Sequence, residues 1–446
     1  MTKVDICKYW VAPKQRFCKF PVVSSTGGFC SIHDIGSGDK ERIPCPFDSR
    51  HMIYKKDLES HSRKCSKVSQ DFFADNQPLL NRGCNRAPSS DTVVLLNDGC
   101  EVTDTLESEL TAWKERLGQA RTKLEAMLRA RFPQVQIDKE SSLFVPAWTD
   151  EVERCVRTMT GKTSETRRDI DKHNFQNASL LQLLSTRELL PSRLTPRLYV
   201  ELGCGKAGLT RWLMHSLGLE GKVDSSVFLL LDYEARRNKQ ENKKDLRDKI
   251  SSDSVVRLRS NITDVDLGEF LKFKNLSHPS NPSPVGKPGS IERRIFELHA
   301  KVAQIQARPD WPLPSVVGVA KHLCGAATDY GLRSLVNISS HNPSIVFATC
   351  CHHKCEWREL VGLESLVEVG VTEADFERMK TMAGWATTEG VSEQKRLIGR
   401  LVKSLIDLVR IHWLIDNLPS AQSVSYCKYI EECVTPENFA IVVKTS

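Results

Sequence analysis

Residues 198–208 read Leu-Tyr-Val-Glu-Leu-Gly-Cys-Gly-Lys-Ala-Gly, an apolar run that ends in an acid and three glycines. This pattern predicts a buried strand, a tight turn through Gly203 and Gly205, and a helix beginning near Gly208. Glycine leaves the backbone bare beside a helix N-terminus, so a nucleotide or nucleoside can approach closely. The spacing Gly203-x-Gly205-x-x-Gly208 serves dinucleotide enzymes and methyltransferases alike. Glu201, two residues ahead of the first glycine, separates the two. A pyrophosphate gains nothing from a carboxylate there, whereas a sulfonium cofactor carrying an amino group does. The turn therefore favours S-adenosylmethionine over NAD.

The residues that follow extend this unit into an α/β domain expected over 165–446. Val227–Asp232 reads as a second strand, and the carboxylate of Asp232 at its end is placed for a ribose diol. A third strand, Val255–Leu258, leads to Asp264, which is expected to reach an adenine amino group. Ser315–Lys321 and Ser344–Thr349 are a fourth and a fifth, and two more lie near 423 and 439. Strands alternating with helices predict a Rossmann-like, largely parallel sheet with ligands at the strand C-termini. Residues 276–291, rich in Pro, Ser and Gly, read as a flexible insertion.

Two strand ends carry unusual polar chemistry. The fourth runs into Ala320-Lys321-His322-Leu323-Cys324-Gly325, and the fifth into Cys350-Cys351-His352-His353-Lys354-Cys355-Glu356-Trp357. Both should converge over the crevice where cofactor and substrate meet. Adjacent cysteines and adjacent histidines make a poor ligand set, so the second cluster is not expected to hold a metal, although the sequence leaves that open.

The N-terminal third has a different organisation. Cys7, Cys18, Cys30 and His33 form one quartet within an expected CCCH-type zinc finger at 1–36. Cys45, His51, His61 and Cys65 form another within an expected CHHC-type finger at 42–68. Each quartet can close a tetrahedral Zn2+ site, giving two Zn2+ in all. A segment of about 30 residues buries little core, so the metal would supply most of its folding energy. Lys55, Lys56, Arg63, Lys64 and Lys67 give the second finger a basic face suited to RNA. Residues 71–105 read as a linker, and 106–135 as a helix whose stripe of Leu106, Leu110, Trp113, Leu117, Leu124 and Leu128 fits either a short coiled coil or packing on the α/β domain.

The 446-residue chain carries a net charge of +7, which permits nucleic-acid binding without demonstrating it. Its first ten residues contain no apolar core of the kind a signal peptide needs, and no apolar run is long enough to span a bilayer. Its 15 cysteines are therefore expected as reduced thiols or metal ligands, in the nucleus or cytosol.

The Cys-Cys-His-His-x-Cys-x-Trp stretch, the Ala-Lys-His-Leu-Cys-Gly-x-Ala-Thr-Asp stretch at 320–329 and the paired fingers together resemble the tRNA 2′-O-ribose methyltransferases that modify the fourth acceptor-stem nucleotide. The second finger also resembles the CHHC finger of RNA-associated proteins, including a minor-spliceosome component. The resemblance covers nearly the whole chain. It implies transfer of a methyl group from S-adenosylmethionine to the ribose of a cytidine or adenosine at position four in tRNAs such as those for glycine, proline and histidine. For such a reaction Lys321 is favoured as general base or alkoxide-stabilising cation, His322 is the competing base, and His352 or His353 follow. Glu201, Gly203, Gly205, Asp232 and Asp264 are the expected cofactor contacts. Lys395, Arg396, Arg400, Lys403 and Arg410 recur along a helix and fit either a second backbone-binding face or ordinary solvation. The alternatives are a methyltransferase acting on protein or on a base, and a zinc-finger RNA-binding factor whose α/β domain lacks catalysis.

Overall fold

The computed structural model describes residues 5–11, 16–22, 27–30, 33, 41–47, 52–62, 65–88, 106–138, 148–163, 165–190, 196–219, 226–234, 239, 254–272, 290–312 and 315–446. The chain divides into two compact units, residues 1–76 with 284–295 and residues 77–283 with 296–446. Most of the expected insertion at 276–291 lies outside the described residues.

The first unit is built from very short elements. Strands β1 (Trp10–Val11) and β2 (Arg16–Phe17) pair antiparallel, as do β3 (Arg42–Pro44) and β4 (Met52–Tyr54). Helices α1 (Leu58–Ser62) and α2 (Ser66–Asp75) follow. Such elements bury almost no aliphatic surface, and the interior is made of cysteine instead. Cys7, Cys18 and Cys30 cluster with Tyr9 and Phe29, and Cys45, Ile53 and Cys65 cluster with Ile43 and Val68.

The second unit opens with α3 (Leu106–Arg131), the short strand β5 (Gln136–Ile137), α4 (Asp150–Thr160) and α5 (Lys172–Thr186). There follow β6 (Arg197–Leu202), α6 (Gly208–Leu219), β7 (Val227–Leu231), β8 (Val255–Leu258), α7 (Leu267–Leu271) and α8 (Ile291–Gln306), of which the residues from 296 onward belong to this unit. The rest comprises β9 (Ser315–Cys324), α9 (Ala326–Val336), β10 (Pro343–Cys350), α10 (Leu363–Glu368), α11 (Glu373–Trp385), α12 (Glu393–Asn417), β11 (Ala421–Lys428) and β12 (Phe439–Thr445). One eight-stranded sheet runs β5-β11-β12-β10-β9-β6-β7-β8. Counted from β6, its seven main strands take the order 3-2-1-4-5-7-6, with β12 antiparallel to both neighbours. The order reverses between β6 and β9, which is where an open α/β sheet leaves a crevice at its strand C-termini.

Both sheet faces are covered, which explains the uninterrupted apolar strands. On β6, Leu198, Val200 and Leu202 face one layer, and Tyr199 faces the other. The first layer contains α3, whose Leu110, Trp113, Leu117, Leu124 and Leu128 pack against α12, so the helix lies on the α/β domain. The second contains α4, α5 and α6. The span read as a linker is partly ordered: Asn81 donates to the Asp264 carbonyl at 2.7 Å, and the Asn85 amide donates to Ile262 and Val265 at 2.8 and 2.9 Å. Residues 89–105 lie outside the described residues. Among the described residues, no helix is long and apolar enough to cross a membrane.

The cations along α12 all have partners within the protein. Lys395 sits 5.4 Å over the Trp385 ring, Arg396 pairs with Glu393 at 3.7 Å, Arg400 with Glu432 and Lys403 with Glu437. Arg410 is fully buried. It grips Asp329 of α9 through Nε at 3.0 Å and Nη2 at 2.7 Å, and donates to Asp407 at 3.0 Å, to the Gly325 carbonyl at 3.3 Å and to Cys355 Sγ at 3.2 Å. The bidentate pairing raises its already high pKa further, so the charge is permanent. A buried charge deprived of its partner is far more costly than the pair is stabilising. Arg410→Met should therefore lower the stability of this unit by about 3–5 kcal/mol in urea denaturation, and an unchanged midpoint would count against the network's role.

Candidate active site and metal centres

At the switch between β6 and β9 the strand ends enclose a cleft of about 1020 Å3. Its floor is the glycine turn. Gly203 has φ of +65°, and a Cβ there would meet Leu323 Cδ1 at 2.9 Å. Gly205 has φ of +53° and nothing within 4 Å of a built Cβ, so the backbone is open to close approach. Its N–H donates to Asp232 Oδ2 at 2.6 Å, while the other Asp232 oxygen accepts from Glu234 N–H at 2.7 Å. Arg257 braces the turn from below, donating to the Gly205 carbonyl at 3.0 Å.

Glu201 sits at the end of β6, 4% exposed, and lines the same cleft. One of its oxygens accepts from the Thr210 amide at 3.1 Å and from the Thr210 hydroxyl on α6. Burial nevertheless pushes its carboxyl up to about 7. On the neighbouring strand β9, Lys321 Nζ donates to Asn177 Oδ1 at 2.6 Å and to the His173 carbonyl at 3.4 Å, both on α5. Burial lowers the Lys321 ammonium to about 8, against the pull of Glu201 and Asp171. The helix that supplies these partners is fixed by its N-cap: Asp171 accepts from the amides of His173 and Asn174 at 3.1 Å.

A β-bulge sets the aim of Lys321. Lys321 is paired with Ala348 on β10, but Thr349 is paired with Leu323, so His322 is an extra residue, with φ of +66°. Its ring stands at the cleft wall, edge-on to His173 with centroids 6.2 Å apart. Partial desolvation and the neighbouring Lys321 hold its imidazole down at about 4.

The remaining candidates lie elsewhere. Asp264 does not line the cleft; its carboxylate accepts from Gly83 N–H at 2.8 Å and from Thr263 at 2.9 Å, and Ser260, Asn261 and Ile262 occupy the wall at that strand end. His352 is 1% exposed and turned inward, with Nε2 3.0 Å from Asp407. His353 is exposed and does not line the cleft either. His352 is thereby taken up by the interior, while His353 faces solvent outside the cleft. Asn177 and His173 were missed by the sequence reading because α5 precedes the glycine turn and carries no motif.

In the first unit, Cys7, Cys18, Cys30 and His33 are all buried, with ligand atoms mutually within 4.8 Å. His33 Nδ1 lies 3.6 Å from Cys7 Sγ and 3.3 Å from Cys30 Sγ, and its ring stacks on Tyr9 at 3.9 Å. Cys45, His61 and Cys65 form the second group, with Cys45 Sγ 3.3 Å from His61 Nε2 and 3.7 Å from Cys65 Sγ. His51 lies outside the described residues. These soft donor sets suit Zn2+, and their convergence without a surrounding core agrees with metal-dependent folding.

A family model described as "Methyltransferase TRM13" matches residues 175–287 and 294–395. A second, described as "U11-48K-like CHHC zinc finger", matches residues 42–66. The chain belongs to the TRM13 methyltransferase family. It is 23% identical to a "tRNA:m(4)X modification enzyme TRM13" of Vanderwaltozyma polyspora, over 98% of this chain and 96% of that one. It is 26% identical to the Schizosaccharomyces pombe protein of the same description, over 90% and 95%. It is also 26% identical to a "tRNA:m(4)X modification enzyme TRM13 homolog" of Mus musculus, over 85% and 74%. The TRM13 match spans the glycine turn, Lys321 and the Cys350–Trp357 loop, so the cleft belongs to the methyltransferase part and the zinc-binding groups precede it. Zinc analysis of the full-length chain checks the fingers. Cys18→Ser should lower bound zinc by one equivalent per chain and leave the melting of the sheet domain unchanged, whereas unaltered zinc content would contradict the ligand set.

Proposed function

We propose that this chain transfers the methyl group of S-adenosylmethionine to the ribose 2′-hydroxyl of nucleotide 4, a cytidine or adenosine, in the acceptor stem of tRNAs such as those for glycine, proline and histidine. The observation that carries the reading is Lys321, a lysine brought by burial to about 8 in a cleft that Glu201 and Asp232 also line. The names of the relatives, tRNA:m(4)X modification enzymes, support the substrate. The donor set also fits the cofactor. Glu201 offers a carboxylate to an amino group, Asp232 offers one to a ribose diol, and the Gly203–Gly205 backbone admits a nucleoside without a side chain in the way.

When bound, S-adenosylmethionine supplies an electrophilic methyl carbon and would leave as a neutral thioether. Neutral Lys321 would take the 2′-hydroxyl proton of the ribose as that oxygen accepts the methyl group, becoming an ammonium. Asn177 and the His173 carbonyl hold Nζ in place through this transfer, and that fixed approach supplies much of the rate. His322 lines the same cleft, but with its imidazole held down at about 4 it is a weaker base than Lys321. The substrate stem is A-form RNA, read by its shape and 2′-hydroxyls. The fingers would grip phosphates with fewer charges than the sequence offered, because Lys55 pairs with Glu41 at 3.1 Å and Lys67 with Asp71. Such an enzyme would work in the nucleus or cytosol.

Incubation of the full-length chain with methyl-labelled S-adenosylmethionine and bulk tRNA, followed by nuclease mapping, tests the assignment. Label should appear on one ribose of the acceptor stem. Methylation of a base, or no transfer, overturns it. Lys321→Met should retain the wild-type melting curve and lower kcat about 10²–10⁴-fold, the usual contribution of a positioned base. Full turnover by that variant removes Lys321 from the role.

A further inference from the structure

The Cys350–Trp357 loop divides into two halves with different surroundings. His352 and Cys355 point inward and are taken up by Asp407 and Arg410. Cys350 and Cys351 do not join that network. They meet a third thiol from the neighbouring strand, Cys324, and the three sulfurs lie mutually within 4.8 Å. Cys324 Sγ is 3.7 Å from Cys350 Sγ, and Cys324 also lines the cleft.

Two local features bring these thiols together. The bulge at His322 advances β9 by one residue, so that Cys324 is paired with Cys350; in unbroken register Cys350 would face Leu323. Cys351 then takes a left-handed conformation, φ of +52°, at the start of the loop. The loop closes tightly over the end of β9, because a Cβ on Gly325 would come within 2.3 Å of the Lys354 carbonyl oxygen.

We infer that Cys324, Cys350 and Cys351 form a third metal site, a three-thiolate set for a soft divalent cation such as Zn2+, that clips the end of β9 to the end of β10. A tetrahedral zinc centre with metal–sulfur bonds of about 2.3 Å separates its sulfurs by about 3.8 Å, close to the Cys324–Cys350 spacing. A disulfide needs about 2.05 Å and leaves the third thiol unused. Three protein thiolates leave one coordination position for water from the cleft. The metal is structural here: it fixes the strand end that carries Lys321 three residues earlier and takes no part in methyl transfer. Vicinal cysteines looked unpromising as ligands in the sequence because the third ligand comes from another strand.

Zinc titration of the reduced, full-length chain tests the site by stoichiometry, independently of activity. The wild-type chain should bind three Zn2+, and a chain carrying both C324S and C350S should bind two. Because that variant could fail to fold, a second one, carrying C18S and C45S, disables both fingers and should retain one Zn2+. Two Zn2+ on the wild-type chain at saturation overturns the proposal, as does none on the finger-disabled chain. A purified chain 2 Da lighter than its reduced mass with no third Zn2+ also overturns it, in favour of a disulfide.

Discussion

One extra residue in one strand organises the catalytic end of this molecule. His322 is unpaired in the β9–β10 ladder and held in a left-handed conformation, a backbone state that costs on the order of 1–2 kcal/mol for a non-glycine residue. The bulge accompanies three arrangements: Lys321 at Asn177, Leu323 against Gly203, and Cys324 opposite Cys350. Strain of this kind persists only where the surroundings fix it from several sides. The buried Arg410 supplies one such constraint, because it ties α9, the Gly325 carbonyl and the Cys355 loop to α12 in a single charged network.

Electrostatics in the cleft follow from the same placement. Glu201 and Lys321 are both desolvated, and burial moves each toward its neutral form, the acid upward and the amine downward. Each partly restrains the other's shift by opposite charge. The result is an acid and an amine that both titrate near neutrality, where proton transfer is effective. An exposed lysine at the same strand end would stay charged and could only act as a cation.

Much of this was legible in the sequence because it rests on local chemistry. The glycine turn, the acids at 201 and 232, the first cysteine–histidine quartet and Cys45, His61 and Cys65 of the second depend on spacing within short segments, and the structure brings each of these groups together. What was not legible depends on register and distant pairing. Asp264 looks like a cofactor ligand by position, yet Gly83 and Thr263 claim its carboxylate, and the contact spans some 180 residues. Adjacent His352 and His353 look equivalent, but one is drawn into the core by Asp407 and the other is left outside. The basic row on α12 reads as a surface, whereas Arg410 is fully buried because two acids from different helices meet it there. Asn177 carried no signal, since an asparagine in a helix is informative only once its partner is known.

The central claim is that Lys321, rather than His322, is the proton acceptor in this cleft. The dependence of kcat/KM on pH for the wild-type chain tests it most directly, since it reports the base of the free enzyme. With Glu201 raised to about 7 and Lys321 lowered to about 8, activity should go on rising above pH 7, where only Lys321 still titrates, and level off above about 8. With His322 held near 4, the base would already be neutral throughout this range. A profile that levels off by pH 7, with no further rise to pH 8, would therefore contradict Lys321 as the base.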